Sequence, residues 1–169
     1  MRLRAQSDHD VEDVVRACQD PEISRWTLIP SPYTKEDALK WFAVAQSERD
    51  SGGAFHLLIV DAVDEDLLGA IGVDLRSDEQ HTYGDVGYWL AAAARGQGYA
   101  TRALELLTSW TLDSLDVEWL QLVIDPRNHS SRRVAERAGC RFVKRGPTTF
   151  RGKVLQFDHF RIDRSERPA

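Results

Sequence analysis

The sequence predicts a mixed α/β fold in which helices cover both faces of a central sheet of about seven strands. Apolar residues recur at helical spacing in several segments, and short strand-like runs lie between them. Three of these runs are consecutive, and a later helix joins two strands, so antiparallel and parallel pairing must coexist. The length of 169 residues suits one domain, residues 1–169, and the 42% hydrophobic content excludes a wholly disordered chain.

The first third of the chain predicts one short strand, at residues 2–6, and three helices. The first helix carries apolar residues at helical spacing: Val11, Val14, Val15 and Cys18. Residues 21–26 predict a second, short helix, after which Pro30 and Pro32 interrupt the chain. Thr34 and Asp37 form a capping box for a third helix, which ends at the glycines of residues 51–53. Its apolar face is expected to comprise Ala38, Trp41, Phe42 and Ala45.

The rest of the chain alternates strands and helices. Residues 55–60 and 67–75 flank an acidic turn as a hairpin, and residues 83–90 form the next strand. Residues 98–112 predict the clearest helix, with an apolar stripe at Tyr99, Ala103, Leu106, Leu107 and Trp110. The final elements are a strand at 119–124, a helix at 128–138 capped by Asn128 or Ser130, and strands at 142–144 and 154–161.

The distribution of charge argues against a nucleic-acid binder and predicts a local anion site. The formal net charge is −5, whereas nucleic-acid-binding domains are normally basic. Residues 1–75 sum to −8 and residues 76–169 to +3, and residues 127–145 hold seven basic side chains against one acid. A basic half within an acidic protein favours binding of an anionic ligand there.

No segment predicts export, membrane insertion or a metal centre. The N-terminus lacks the apolar stretch of a signal peptide, and no apolar run approaches the roughly 20 residues of a membrane-spanning helix. Cys18 and Cys140 have no CxxC partner and are too few for a disulfide framework. The histidines lack metal-ligand spacing, so we expect no metal. These features favour a soluble, cytoplasmic protein.

The most informative segment is a glycine turn between a strand and the long helix. Gly96 and Gly98 lie just before the helix that begins near Tyr99. Glycines let backbone N–H groups point into a concavity, and a helix N-terminus attracts anions, so the turn suits a phosphate or pyrophosphate. It lacks the Gly-Lys-Ser/Thr of a Walker A loop and the GxGxxG spacing of a dinucleotide fold. An ordinary strand-to-helix turn remains the alternative interpretation.

Residues 95–100, Arg-Gly-Gln-Gly-Tyr-Ala, resemble the Arg/Gln-x-x-Gly-x-Gly/Ala signature of the GNAT superfamily of N-acetyltransferases. Residues 85–90 resemble the strand that precedes this loop in the family. Residues 125–134 are similar to the Asn-x-x-Ser segment of the branch typified by ribosomal-protein N-terminal acetyltransferases, the RimJ/RimL type. Residues 20–26 and 33–42 resemble the N-terminal helices of that branch, so the resemblance runs along nearly the whole chain.

The resemblance implies a single GNAT-like domain that uses acetyl-coenzyme A as cosubstrate. Its sheet would be mostly antiparallel and splayed at its middle, where residues 86–90 and 119–124 diverge around the pantetheine arm. The loop would hold the pyrophosphate, and the cofactor-binding residues it implies are Trp89, Leu90, Arg95, Gly96, Gln97, Gly98, Tyr99, Ala100, Thr101 and Asn128. Asn128 would hydrogen-bond the pantetheine arm, and backbone N–H groups near Trp89 and Leu90 would polarise the thioester carbonyl.

Acetyl transfer to an amine requires a base, a polarised carbonyl and a proton donor for the departing thiolate. The resemblance implies Asp85 as the base, acting through water, and Ser131 as the acid. A solvent-facing strand carboxylate and a first-turn helix hydroxyl are the structural alternatives for these two residues. Cys140 is not expected to act as a nucleophile, and His129 fits a surface position near the helix cap.

The acceptor stays open between a protein N-terminus, a polyamine, an amino acid and an antibiotic amine. Arg102 stands where this branch often has Glu, and Cys140 replaces the usual Phe after Gly139, which leaves the substrate subclass undecided. A non-catalytic acyl-coenzyme A sensor of the same fold is the alternative function. Dimers are common in the family, so a homodimer is an open expectation, while no nucleic-acid or membrane partner is expected.

Overall fold

The computed structural model describes residues 1–78 and 80–164. Its elements follow in the order β1 Arg2–Arg4, α1 Val11–Ala17, α2 Pro21–Trp26, α3 Lys35–Ser51, β2 Ala54–Val60, β3 Leu67–Ser77, β4 Thr82–Leu90, α4 Tyr99–Ser114, β5 Trp119–Ile124, α5 His129–Arg137, β6 Arg141–Phe150 and β7 Lys153–Asp163. Short 3-10 helices at Asp8–Asp10 and Ala92–Ala94, which the sequence did not predict, precede α1 and follow β4.

Within the described residues the strands form one mixed sheet in the order β1-β2-β3-β4-β5-β7-β6. Every neighbouring pair is antiparallel except β4 and β5, which are parallel. The helix α4 makes the crossover between these two strands, as a parallel pair requires. The predicted mixed, mostly antiparallel sheet of about seven strands is therefore confirmed.

Helices cover both faces of the sheet, each with its own apolar core. On one face, the core around Leu58, Ala70 and Trp89 packs against α1, α2 and α3. On the other face, the larger core around Ile71 and Phe160 packs against α4 and α5. Adjacent side chains of a strand alternate between these two cores, so each strand residue can be assigned to one face by its position. We call these the α1–α3 face and the α4–α5 face.

Local sequence signals account for most element boundaries. The Thr34 hydroxyl caps the N-terminus of α3 and the Asp37 carboxylate bonds back to the Thr34 N–H, as a capping box does. Gly52 ends α3 with a φ of 74°, a left-handed conformation that favours glycine. Asn128, one of the two predicted caps, accepts a hydrogen bond from the backbone N–H of Ser131 at 3.1 Å.

Two expectations needed correction. The closing strand β6 is much longer than the predicted residues 142–144, because Gly146 and Pro147 continue it instead of ending it, and β7 extends slightly beyond the predicted residues 154–161. Pro147 is tolerated because β6 is the outer strand of the sheet, where a missing N–H costs no pairing on the open side. The stripe predicted for α4 is rotated: Leu106 and Trp110 are 44% and 39% exposed. The buried face of α4 instead comprises Ala100, Ala103, Leu104, Leu107, Thr108, Thr111 and Leu112.

Candidate active site

The parallel strands β4 and β5 separate partway along their length. They pair only at Tyr83 with Trp119, Gly84 with Leu120, and Asp85 with Gln121. Beyond Asp85, β4 continues to Leu90 while β5 continues to Ile124, with no further pairing between them. The sheet therefore opens into a cleft at its centre, where the backbone groups of both strands are left for a ligand.

The glycine turn lies at the wide end of this cleft. Gly96 and Gly98 have φ values of 77° and 83°, and a Cβ atom at either position would meet no protein atom within 4 Å. Gly98 is the N-cap of α4, so the first N–H groups of the helix are available beside it. These two conformations leave an open cradle of backbone donors at a helix N-terminus, which suits a pyrophosphate.

The Arg95 side chain stabilises this turn through contacts with neighbouring residues. Its guanidinium donates to the carbonyl oxygen of Leu90 at 3.0 and 3.2 Å and lies 2.7 Å from the Asp20 carboxylate. The Gln97 amide similarly donates to the Ala93 carbonyl at 2.8 Å. Both side chains hold the loop in place, so they leave phosphate binding to the backbone of the turn.

One large cavity, of about 1390 Å³, connects the glycine turn with the α1–α3 face. Of the predicted cofactor residues, it is lined by Trp89, Leu90, Arg95, Gly96, Gly98, Ala100, Thr101 and Asn128. Gln97 and Tyr99 do not line it. At the far end the wall is largely aromatic, formed by Trp26, Tyr33, Trp41, Phe150 and Phe157.

Asp85 lies where the sheet opens, on the α1–α3 side of the cavity. Its side chain is 35% exposed, and its carboxylate accepts a hydrogen bond from the Gln121 amide. The Nε atom of Arg76 lies 3.5 Å from the other carboxylate oxygen. The neighbouring strand places Asp74 directly beside Asp85, so two carboxylates face this end of the cavity.

A histidine links Asp74 to helix α3. His56 Nε2 lies 3.2 Å from the Asp74 carboxylate and 3.4 Å from that of Glu48. The hydrogen bond with Asp74 outweighs burial and raises the pKa of His56 above its usual value. The three ligand atoms lie within 4.8 Å of one another, close enough to share a metal ion. The ion pairs explain the same geometry, so the expectation of no metal stays a prediction.

Ser131 lies across the cleft on the α4–α5 side, bonded to a residue that the sequence analysis missed. Its Oγ atom is 2.8 Å from the hydroxyl of Tyr88. Burial raises the pKa of the Tyr88 phenol to about 12, so this group keeps its proton at neutral pH. The pair can donate a proton into the cleft. The two residues are 43 positions apart, and no sequence signal connected them.

Asn128 has a structural role besides the one predicted. Its Oδ1 atom caps α5, which leaves only the Nδ2 donors for a ligand. Cys18 and Cys140 are both free and buried, and burial raises the pKa of both thiols to about 12. Such thiols stay protonated and make poor nucleophiles.

The family model described as an acetyltransferase (GNAT) domain matches residues 1–141 of the chain. The chain belongs to the GNAT acetyltransferase family. The resemblance seen in residues 95–100 is thereby confirmed. The GNAT match includes the splayed strands and the glycine turn, and ends at the start of β6.

This GNAT chain is similar to named proteins in sequence and to solved acetyltransferases in structure. It is 30% identical over 116 residues to the probable N-acetyltransferase YjcK of Bacillus subtilis, a match covering 68% of this chain but only 62% of YjcK. Mycobacterium smegmatis RimJ in complex with CoA-disulfide superposes with a TM-score of 0.84 and 18% identity, covering 99% of this chain and 83% of RimJ. Vibrio cholerae spermidine N-acetyltransferase in complex with CoA and spermine superposes with a TM-score of 0.78 and 16% identity, covering 98% and 96% of the two chains.

The solved neighbours support the RimJ/RimL-type expectation for the fold of this GNAT chain. Several of them are crystallised with coenzyme A or acetyl-coenzyme A. The helices within residues 1–78 and 80–164 include none that combines the length and apolar character needed to span a bilayer.

Proposed function

We propose that this protein is an acetyl-coenzyme A-dependent N-acetyltransferase that acts on a primary amine in a ternary complex. The observation that carries the proposal is the open glycine cradle of Gly96 and Gly98 at the mouth of the cleft between β4 and β5. A Cβ atom at either glycine would project into open space beside the helix N-terminus. Membership of the GNAT family makes an acyl-coenzyme A thioester the anionic ligand that this cradle fits.

On the cofactor side, the N–H groups of residues 96–101 would bind the pyrophosphate, assisted by two arginines. Arg133 and Arg137 of α5 line the cavity and make no ion pair within residues 1–78 and 80–164. The Nδ2 donors of Asn128 would hydrogen-bond the pantetheine arm, and N–H groups of β4 near Trp89 and Leu90 would polarise the carbonyl. Bound acetyl-coenzyme A supplies the acetyl thioester.

The catalytic candidates lie on opposite sides of the cleft. Asp85 is the base that the resemblance implies, on the side from which an amine would enter. Ser131, hydrogen-bonded to the protonated Tyr88, would donate a proton to the departing sulfur. Two carboxylates, Asp74 and Asp85, and an aromatic wall suit a cationic amine attached to an apolar group.

The proposal covers residues 1–169 as one N-acetyltransferase domain that acts in the cytoplasm. A protein N-terminus and a small-molecule amine both remain acceptors to be tested, and a homodimer is the oligomer to be tested. None of the four acceptor classes named from the sequence is excluded by the cavity, whose volume of about 1390 Å³ accommodates large ligands.

The test combines a binding assay with an acceptor panel. Isothermal titration calorimetry should detect binding of coenzyme A. Acetyl-coenzyme A should then release free thiol in the presence of an acceptor, with peptides, polyamines, amino acids and aminoglycosides as the panel. Binding without thiol release for every amine would refute the enzyme and favour an acyl-coenzyme A-binding module. Failure to bind coenzyme A would refute both.

A further inference from the structure

We propose that His159 takes the proton from the ammonium group of the acceptor, and that Asp85 stabilises the imidazolium that forms. The inference rests on the proposed acetyl transfer and assigns its base. Neither the glycine signature nor the Asn-x-x-Ser segment points to this residue, which lies in β7 near the end of the described chain. Three structural observations support it: its place in the sheet, the face it occupies, and its surroundings.

The sheet register puts His159 on β7, next to the part of β5 that borders the open cleft. In β5, Gln121 is the last residue paired to β4, and Val123 lies two residues further along. The partner of Val123 in β7 is His159. His159 therefore lies one strand away from the cleft, across β5, level with the part of β5 that has separated from β4, and its side chain lines the same cavity.

The side chain of His159 faces the same side of the sheet as Asp85. Cross-strand partners point to the same face, and alternate residues of one strand share a face. Asp85 pairs with Gln121, and Val123, two residues on, pairs with His159, so the two side chains lie on one face. Both residues line the large cavity. An amine entering from the α1–α3 side would reach the cleft between them.

The surroundings of His159 keep it neutral and therefore able to accept a proton. Its Nε2 atom lies 3.4 Å from the Thr148 hydroxyl of β6, a long hydrogen bond and the one that the ring makes among residues 1–78 and 80–164. Of the charged groups that act on it, Lys144 of β6 repels the protonated form, whereas Asp85 of β4 and Asp158 of its own strand attract it. Burial, followed by Lys144, holds the pKa of His159 below its usual value near 6.5.

Asp85 is less suited to take the proton itself. One of its carboxylate oxygens accepts from Gln121 and the other faces Arg76. An imidazole is also ordinarily a stronger base than a carboxylate, by about two to three pKa units. A charged Asp85 that keeps its hydrogen bonds can instead stabilise the imidazolium as it forms.

The proton balance is complete with these groups. The ammonium gives one proton to His159, directly or through one water. The neutral amine nitrogen then forms a bond to the acetyl carbon, and the carbon–sulfur bond breaks. The Tyr88–Ser131 pair gives a proton to the sulfur, and the second proton of the nitrogen passes through water to that pair and restores it, which yields a neutral amide and a thiol. The one net proton, held by His159, passes to solvent.

The test compares His159→Gln with Asp85→Asn across pH, using the best acceptor of the panel. We expect His159→Gln to lower kcat about 10²- to 10⁴-fold at pH 7.5, the usual contribution of a general base. The deficit should shrink as pH approaches the pKa of the amine, about 10 for an alkyl amine and about 8 for a protein N-terminus, because the free amine then needs no base. The pH profile of Asp85→Asn should still show the titration of His159, but at lower pH, because the negative charge that attracts the imidazolium is gone.

Controls separate this role from damage to the fold. His9 is exposed and does not line the cavity, so His9→Gln should leave the profile unchanged. Both active-site variants should bind coenzyme A with wild-type affinity, and added imidazole should restore part of the activity of His159→Ala. The assignment of His159 as the base would be overturned if His159→Gln kept the pH dependence of wild-type kcat, or if only Asp85→Asn lost the rise of kcat with pH. Either result would leave the proposed acetyltransferase activity standing. A wild-type protein without turnover would overturn the proposed function instead.

Discussion

Replacing Gly98 by alanine should weaken coenzyme A binding far more than it destabilises the fold. Gly98 has a φ of 83°, and the added Cβ would meet no protein atom within 4 Å. The change therefore costs only the left-handed backbone strain of an L-residue, about 1–2 kcal/mol. For a chain of this size that lowers Tm by roughly 2–8 °C.

The cost to the ligand is separate, because the new Cβ enters the cradle that the pyrophosphate would occupy. Losing one charge-assisted hydrogen bond costs about 1.5–3 kcal/mol, which weakens binding roughly 10- to 150-fold. Gly98→Trp should abolish binding altogether by blocking approach to the backbone.

Gly52→Ala is the matched control. Gly52 has a φ of 74° and equally open surroundings, but it ends α3 and does not line the cavity. Calorimetry with coenzyme A and a thermal melt on both variants should give similar Tm losses and very different affinities. Equal affinities within twofold would show that the turn does not hold the cofactor, and the loop assignment would be wrong.

Three further outcomes follow from other contacts. Tyr88→Phe should lower kcat about tenfold without changing coenzyme A affinity. The loss should not add to that of Ser131→Ala, because each variant removes the same 2.8 Å contact. Additive losses of kcat in a double-mutant cycle would contradict this. The pKa of His56 is raised in the folded state, so its stabilising contribution is complete below about pH 6.5 and is lost as pH rises through the folded value. The stability difference between wild type and His56→Gln, from urea unfolding, should therefore be larger at pH 5.5 than at pH 8.5, and a pH-independent difference would refute it. Arg151, at the turn between β6 and β7, donates to backbone carbonyls around α2 beside the cavity, so Arg151→Ala should raise the acceptor KM with the coenzyme A affinity unchanged, as steady-state kinetics can check.

The order of elements could be predicted because its signals are local. The capping box at Thr34 and the glycine turn before Tyr99 each depend on residues within one turn of each other. The predicted buried face of α4 was wrong because the actual face includes Thr108 and Thr111, and a hydrophobic pattern counts threonine as polar. The length of β6 was missed because Pro147 is a strand breaker unless the strand is an outer one, which only the topology reveals.

Only the part of the site formed by the glycine turn could be predicted from the sequence. The contact between Tyr88 and Ser131, and the position of His159 in the cavity wall, depend on how α5 and β7 pack against strands far away in sequence. A period-two pattern places His159 on one face of β7, but nothing in it says that this face borders an opening in the sheet. The opening itself arises from a pairing that stops after Asp85, and no residue type marks that point.

The net charges of the two halves of the chain overstate how many basic side chains are available to bind an anion. Of the seven basic residues in positions 127–145, four are held by carboxylates: Arg127 by Asp125, Arg132 by Glu136, Arg141 by Asp163 and Arg145 by Asp158. Such pairs contribute little field at a distance, because each cation is neutralised locally. Arg133 and Arg137, which line the cavity, are the cations positioned to attract a phosphate. Asp85 lies in the half of the chain that sums to +3, so the sums do not locate the charged parts of the cavity, whereas the individual lining side chains do. Neutralising Arg133 and Arg137 should therefore weaken coenzyme A binding far more than removing any paired arginine.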